Sequence, residues 1–260
     1  MLVEIDVTLD YGFPDARTVA LMIEAARTDG QTVLSDTINI DAVDRMHRVA
    51  GESGLGTRII ALTTAPRLTA RYTATVEVTR RVADLRTLRA AALIDMPGDV
   101  QPYLRPSRYV QPEMFGGFVA RRFAGLSGGG MVAAIRDFVQ AEMSYMPGSS
   151  DGNTTALETF AAREGVCRDY AHLTCALARA AGIPARSVAV YGPDVSPQDF
   201  HAVAEVWLSG AWHLIDSTGM CRADGLVKIA VGRDAADIAF LDAGRDVSLI
   251  TQQVNSWFVT

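Results

Sequence analysis

Alternating apolar and polar positions mark the first part of the chain. The odd-numbered residues from Val3 to Leu9 are apolar, and the same period of two returns between Leu68 and Val78. This alternation is typical of strands that bury one face. Shorter strand-like runs lie at Thr18–Glu24, Gln31–Ile40 and Thr57–Leu62. We therefore predict a small antiparallel β-sandwich of five or more strands that ends near Arg80.

The pattern weakens between Asp84 and Phe123. Four prolines prevent a long helix in its second half; they are Pro97, Pro102, Pro106 and Pro112. We predict a connector between two domains, held to the surface by Tyr103, Tyr109 and Phe115. Ser127–Gly130 follows it and lacks the Lys-Ser/Thr of a phosphate loop, so we expect a flexible boundary there.

Helical periodicity begins after that boundary. Met131–Met146 has an apolar stripe, and Thr155–Glu158 is a capping box that opens a short helix. A third predicted helix runs from Cys167 to Ala181, because Gly182 and Pro184 lie just past its end. The next strand-like runs should form an antiparallel sheet under this helix; they are Arg186–Tyr191, His201–Leu208 and Trp212–Ile215.

The predicted fold class is therefore α+β. We place a β-rich N-terminal domain at 1–84, a connector at 85–127 and a core with C-terminal strands at 128–260. Three later strand-like runs either extend the core sheet or return to the N-terminal domain; they are Leu226–Val231, Val247–Ile250 and Val254–Val259.

The charge, hydropathy and cysteine content of the chain argue against several classes of protein. A formal net charge of -6 argues against nucleic-acid binding, which needs a basic surface. We expect no membrane-spanning helix, because no stretch of about 20 apolar residues occurs. Glu4 and Asp6 near the N-terminus do not fit a signal peptide. The 3 cysteines favour a reducing compartment over a disulfide framework, so we expect a cytoplasmic protein.

Cys167 is the candidate nucleophile. Its predicted position in the first turn of a helix places it beside unpaired backbone N–H groups and the positive end of the helix dipole. Both favour a thiolate over a thiol. Cys175 lies in the middle of the same predicted helix, where a cysteine is only a small apolar side chain.

A β-hairpin supplies the candidate base and its partner. Ser209-Gly210 separates two apolar runs and predicts a two-residue turn. Leu208 then lies opposite Ala211, which places His201 and Asp216 on one face as diagonal neighbours, about 7–8 Å apart at the backbone. His213 points to the other face. The predicted triad is therefore Cys167, His201 and Asp216.

The sequence leaves other candidates for the carboxylate partner of His201. Glu205 shares the face of His201, and Asp199 could reach the imidazole from the preceding loop. His172 lies about 140° around the helix axis from Cys167 and should point away from it, while His47 lies in a polar stretch. A metal site is disfavoured, because there is no Cys-x-x-Cys motif and no pair of histidines at ligand spacing.

The motifs around these residues resemble the transglutaminase-like superfamily, and within it the bacterial transglutaminase-like cysteine peptidases. The resemblance is carried by residues 165–173, 180–186, 201–205 and 212–218. It implies a papain/transglutaminase-like core after a β-rich domain, with Cys167, His201 and Asp216 in the family's catalytic positions. Two departures are Val203, where the family usually has an aromatic residue, and Ser217, where it usually has proline.

The resemblance implies an acyl-thioester mechanism without a cofactor. The expected substrate is a peptide or protein amide, and the expected reaction is hydrolysis. A transglutaminase or other acyltransferase would use the same triad, and a non-enzymatic binding scaffold is the alternative of another class. The backbone N–H of Cys167 is a candidate oxyanion donor. The oligomeric state is left open.

Overall fold

The computed structural model describes residues 1–259, which contain fourteen strands and four α-helices. The strands are β1 (Leu2–Gly12), β2 (Thr18–Leu21), β3 (Gln31–Ile40), β4 (Val43–Ala50), β5 (Thr57–Thr63), β6 (Arg67–Val78), β7 (Ser144–Tyr145), β8 (Glu164–Gly165), β9 (Ala185–Tyr191), β10 (His201–Leu208), β11 (Ala211–Ile215), β12 (Val227–Gly232), β13 (Leu241–Asp242) and β14 (Ser248–Val259). The helices are α1 (Gly116–Arg122), α2 (Gly128–Glu142), α3 (Ala156–Ala162) and α4 (Cys167–Ala180).

Two four-stranded antiparallel sheets form the β-rich part of the protein, in the orders β14-β1-β6-β3 and β13-β2-β5-β4. Every second residue of β1 is buried, as the alternation predicted. Both sheets contribute to one buried cluster that includes Val7, Tyr72 and Ile59. Strand β4 has no alternation, because seven of its eight residues are exposed, and so the sequence pattern did not reveal it.

The last strand returns to the beginning of the chain. Strand β14 pairs antiparallel with β1, with Val7 opposite Val254. Strand β12 instead pairs with β9 in the core sheet. Strand β12 therefore extends the core sheet, whereas β14 returns to the sheet formed by the beginning of the chain. The domain boundaries at 84 and 127 stay a prediction.

The core is an antiparallel sheet in the order β11-β10-β9-β12, with helix α4 against strand β10. Helices α2 and α4 share a buried cluster with one face of this sheet, through residues such as Ile135, Leu177 and Val206. The predicted α+β class is thus confirmed. A membrane-spanning helix needs about 20 apolar residues, and no helix within residues 1–259 meets that requirement.

The expected flexible boundary at Ser127–Gly130 is wrong. Gly128 and Gly129 are buried and form the first turn of helix α2. A Cβ on Gly129 would lie 1.5 Å from the carbonyl oxygen of Leu85, so the connector approaches this turn too closely for any other residue. Composition indicates flexibility here, whereas the glycines are required by a tertiary contact.

Candidate active site

Cys167 is the first residue of helix α4. A buried carboxylate fixes this end of the helix: Asp169 accepts a hydrogen bond from the Val166 N–H at 2.8 Å and pairs with Arg168 at 3.2 Å. Position 165, two residues before Cys167, must be glycine, because a Cβ there would lie 2.6 Å from the Cβ of Asp169. The Asp169 carboxylate also complements the positive end of the helix dipole. Cys167 is therefore held at the N-terminus of α4, as the sequence predicted.

His201 and Asp216 meet through the β10–β11 hairpin. The predicted register is observed, with Leu208 opposite Ala211. Both turn residues have positive φ, 50° at Ser209 and 82° at Gly210, as a two-residue type I′ turn requires. The Nε2 atom of His201 lies 3.2 Å from Oδ2 of Asp216, and both side chains are buried.

The Asp216 carboxylate is fixed on both oxygens. Oδ1 accepts hydrogen bonds from the backbone N–H and the hydroxyl of Thr218, at 2.9 and 2.6 Å, and Oδ2 also accepts from the Cys221 N–H at 3.0 Å. Burial raises the pKa of Asp216, but the hydrogen bonds from His201 and Thr218 outweigh it and lower the pKa below its usual value. Asp216 therefore remains an anion that orients the imidazole.

The other imidazole nitrogen of His201 is left for the thiol. Nδ1 is buried and has no hydrogen-bond partner among the described residues. Burial lowers the pKa of His201, but the hydrogen bond with Asp216 and the charges of Cys167 and Asp216 raise it to about 9. Because Asp216 occupies Nε2, Nδ1 is the imidazole nitrogen that remains available to a thiol. The structure thus brings the three predicted residues together.

The competing carboxylates are engaged elsewhere. Glu205 is completely buried between Arg186, at 2.7 Å, and Lys228. Asp199 accepts a hydrogen bond from the Gln252 side chain at 2.7 Å. Neither binds His201, so Asp216 is its carboxylate partner.

His47 is exposed, and the other two histidines have structural contacts. The ring of His172 stacks on Tyr109 with 5.1 Å between centroids, and its Nε2 accepts a hydrogen bond from the Ala235 N–H. Nε2 of His213 lies 3.1 Å from the carbonyl oxygen of Leu208 on the neighbouring strand. Both therefore lie outside the candidate triad, as the sequence indicated.

The other two cysteines differ electrostatically from a nucleophile. Burial raises the pKa of Cys175 to about 11. Burial and the nearby charges of Asp216 and Asp194 raise the pKa of Cys221 to about 12. At neutral pH both remain protonated thiols.

Tyr145 lies beside the start of helix α4, a position that the sequence analysis did not predict. It belongs to β7, which pairs with β8 directly before Cys167. A two-residue strand has no periodicity to detect, and its pairing partner lies 20 residues away along the chain. Asp169, by contrast, could have been found, because an acidic residue three positions after a helix N-cap is a known capping signal.

A cavity of about 590 Å³ lies on the Asp216 side of the site, along strand β11. Its described lining includes Asp216 and Cys221 but neither Cys167 nor His201, so it does not contain the thiol. Within residues 1–259, there is no cluster of three or more His, Cys, Asp or Glu side chains that could hold a metal ion.

Comparisons with known proteins identify the family. The model of the transglutaminase-like superfamily matches residues 120–217, a range that contains all three predicted triad residues. The crystal structure of a "Putative Cysteine Protease" from Cytophaga hutchinsonii is 33% identical, with a TM-score of 0.92 over 98% of this chain and 90% of that chain.

Two curated relatives are uncharacterised mycobacterial proteins. The Mycobacterium leprae protein is 31% identical over 118 residues, which are 42% of this chain and 42% of the relative. The Mycobacterium tuberculosis protein is 32% identical over 126 residues, or 42% of this chain and 40% of the relative. The chain thus matches only about two fifths of the length of these relatives. The family model matches the region of the candidate site, and the Cytophaga structure is 33% identical over nearly its whole length, so the protein belongs to the transglutaminase-like superfamily.

Proposed function

We propose that the protein is a cysteine-dependent amide-bond hydrolase that acts on peptides or proteins. The observation that carries the proposal is the state of His201, whose Nε2 is held by a buried carboxylate while Nδ1 has no hydrogen-bond partner among the described residues. A histidine oriented in this way beside a helix-start thiol is the arrangement that nucleophilic catalysis by cysteine needs.

In the proposed reaction, the Cys167 thiolate attacks the amide carbonyl and a tetrahedral oxyanion forms. His201, as imidazolium, then protonates the leaving amine, and the C–N bond breaks to give an acyl-thioester. Water attacks the thioester while His201 takes up one of its protons. The acid product leaves and the thiolate–imidazolium pair is restored. Asp216 orients His201 and stabilises its charged form throughout.

Two observations favour hydrolysis of an amide by this centre. The similar Cytophaga protein carries the description "Putative Cysteine Protease". In addition, His201 has a pKa raised to about 9 by Asp216 and Cys167 against the effect of burial, so it carries the proton that the leaving amine needs at neutral pH. A binding scaffold would not need a charged histidine buried beside a thiol.

The proposal is tested with a library of peptides that is prepared by digesting a cell extract. The library is incubated with the protein in H₂¹⁸O, with and without a primary amine such as biotin-cadaverine, and the products are read by mass spectrometry. We expect new peptide ends that contain ¹⁸O. They should persist in Cys175→Ala, which removes a buried thiol, and be lost in Cys167→Ala.

Other outcomes identify the alternatives. Amine incorporation in place of ¹⁸O would show an acyltransferase that uses the same triad. No Cys167-dependent product from the library would contradict the proposal and favour the binding scaffold.

A further inference from the structure

Strand β11 lies at the edge of the core sheet, where β10 is its only neighbour among the described strands. The two-residue turn makes Leu208 and Ala211 a hydrogen-bonded pair, and such pairs alternate along an antiparallel ladder. The backbone N–H and C=O groups of Trp212 and Leu214 therefore point away from β10. Within residues 1–259, no hydrogen bond is made to these groups. The edge thus offers two free donors and two free acceptors.

The segment 80–89 passes beside this edge and is anchored at both of its ends. At the first end, the Arg80 N–H donates to the Gly30 carbonyl at 3.0 Å, and the Arg80 guanidinium donates to the Ala223 carbonyl at 3.0 Å. At the other end, Arg89 and Ser209 exchange two hydrogen bonds of 2.9 Å. Between these anchors, residues 81–86 and strand β11 line the cavity of about 590 Å³, which we call the β11 cavity. Open space is therefore left beside the unpaired edge.

The lining of the β11 cavity is cationic. It contains more arginines than acidic residues, namely Arg80, Arg81, Arg86, Arg136 and Arg222 against Asp84, Asp216 and Asp224. Each of these three carboxylates already accepts hydrogen bonds from the protein. The Arg80 guanidinium donates only to neutral carbonyl oxygens, and the exposed Arg81 has no ion-pair partner within residues 1–259. The formal net charge of the whole chain is -6, so this lining differs in sign from the protein as a whole.

We propose that the β11 cavity binds an extended acidic segment of another polypeptide, which adds to the core sheet as a strand beside β11. The backbone of this segment pairs with the free groups of Trp212 and Leu214, and its carboxylates lie against the arginines of the lining. Strand β11 has 5 residues, which at about 3.3 Å per residue present about 16 Å of edge. The cavity contains neither Cys167 nor His201, so this docking is separate from the proposed reaction and does not depend on it.

Labelled peptides test the charge and the backbone pairing separately. Binding is measured by fluorescence anisotropy with the full chain carrying Cys167→Ala, so that no peptide is cleaved. The acidic probe is an octapeptide that alternates Glu and Val, and the basic probe has Lys in place of every Glu. Two more acidic probes are N-methylated on every Glu or on every Val, which blocks one edge of the peptide strand at a time. Arg81→Glu is the test variant, and Arg121→Glu is the matched control, because Arg121 is exposed and lies outside the lining.

We expect the acidic probe to bind about tenfold more tightly than the basic probe, and Arg81→Glu to weaken its binding about fivefold, while Arg121→Glu changes it by less than about twofold. One N-methylated probe should lose binding and the other should keep it, because only one edge of an added strand pairs with β11.

Three results would overturn the assignment: equal binding of the acidic and basic probes, equal effects of the two arginine variants, or equal binding of the two N-methylated probes. Absence of binding by the acidic probe to a protein that sediments as a dimer would also overturn it, and would assign the edge to a second copy of the chain.

Discussion

Replacing Asp216 with asparagine removes the charge that holds the proton on His201. In the wild type, the ordinary pKa of 6.5 is raised to about 9, although burial alone would lower it. The difference corresponds to about 3 kcal/mol between the two protonation states. Because an opposite charge at this distance shifts a pKa by about 1–3, we expect the pKa of His201 in Asp216→Asn to fall to between about 6 and 8.

The measurement is an NMR titration of the imidazole C–H signals from pH 5 to pH 10. With only 4 histidines, a His201→Gln variant assigns the signal. Asp199→Asn is the matched control, because Asp199 also neighbours this strand but is bound to Gln252. It should leave the titration of His201 unchanged. A wild-type His201 that titrates at or below 6.5, or an unchanged titration in Asp216→Asn, would refute the reasoning.

The raised pKa of His201 also makes the stability of the folded protein depend on pH. A group whose folded pKa exceeds its unfolded value stabilises the folded state fully below the unfolded pKa. His201 should therefore contribute its full stabilisation below about pH 6.5 and lose it as the pH rises through about 9. The urea midpoint of the wild type should fall across this range, and His201→Gln should show a smaller decrease.

Three further predictions concern buried groups. Glu205→Gln should lower the free energy of unfolding by about 3–5 kcal/mol, since two buried cations lose their carboxylate, whereas Asp224→Asn at an exposed pair should cost less than about 1 kcal/mol in the same urea titration. Gly129→Ala should prevent stable folding. The control is Gly130→Ala, which has open space at its Cβ and should raise the thermal midpoint by a few degrees. Equal effects of the two substitutions would contradict the close approach of the connector to Gly129. Burial lowers the pKa of His172 to about 4, so between pH 6.5 and 4 the unfolded chain binds a proton that the folded protein does not, and stability should fall as the pH falls through this range. His172→Gln should flatten that dependence of the urea midpoint.

Local rules explain what the sequence revealed. The Ser209-Gly210 turn fixes which residues of the hairpin are opposed, and this register alone places His201 beside Asp216. The α-helix beginning at Cys167 follows from Gly165 before it and Gly182 after it. The strand alternation in β1 identifies its buried face. In each case, the signal and the structure lie within about 20 residues of each other.

Non-local contacts explain what the sequence did not reveal. Strand β14 pairs with β1 from the other end of the chain, and no local pattern specifies that partner. The connector packs so closely on Gly128 and Gly129 that neither position has room for a side chain, which their composition does not indicate. Tyr145 lies opposite Gly165, beside the start of helix α4, through a pairing of two-residue strands. Each depends on where separate segments meet in the folded protein.

The central claim is that His201 activates Cys167, and the rate of iodoacetamide alkylation at each cysteine from pH 4 to pH 9 tests it most directly. Burial gives Cys175 and Cys221 pKa values of about 11 and 12, so both serve as internal controls that should stay unreactive. We expect Cys167 to react well below pH 8 and to lose that reactivity in His201→Ala. Equal reactivity of the three cysteines, or low-pH alkylation of Cys167 that survives His201→Ala, would contradict the account.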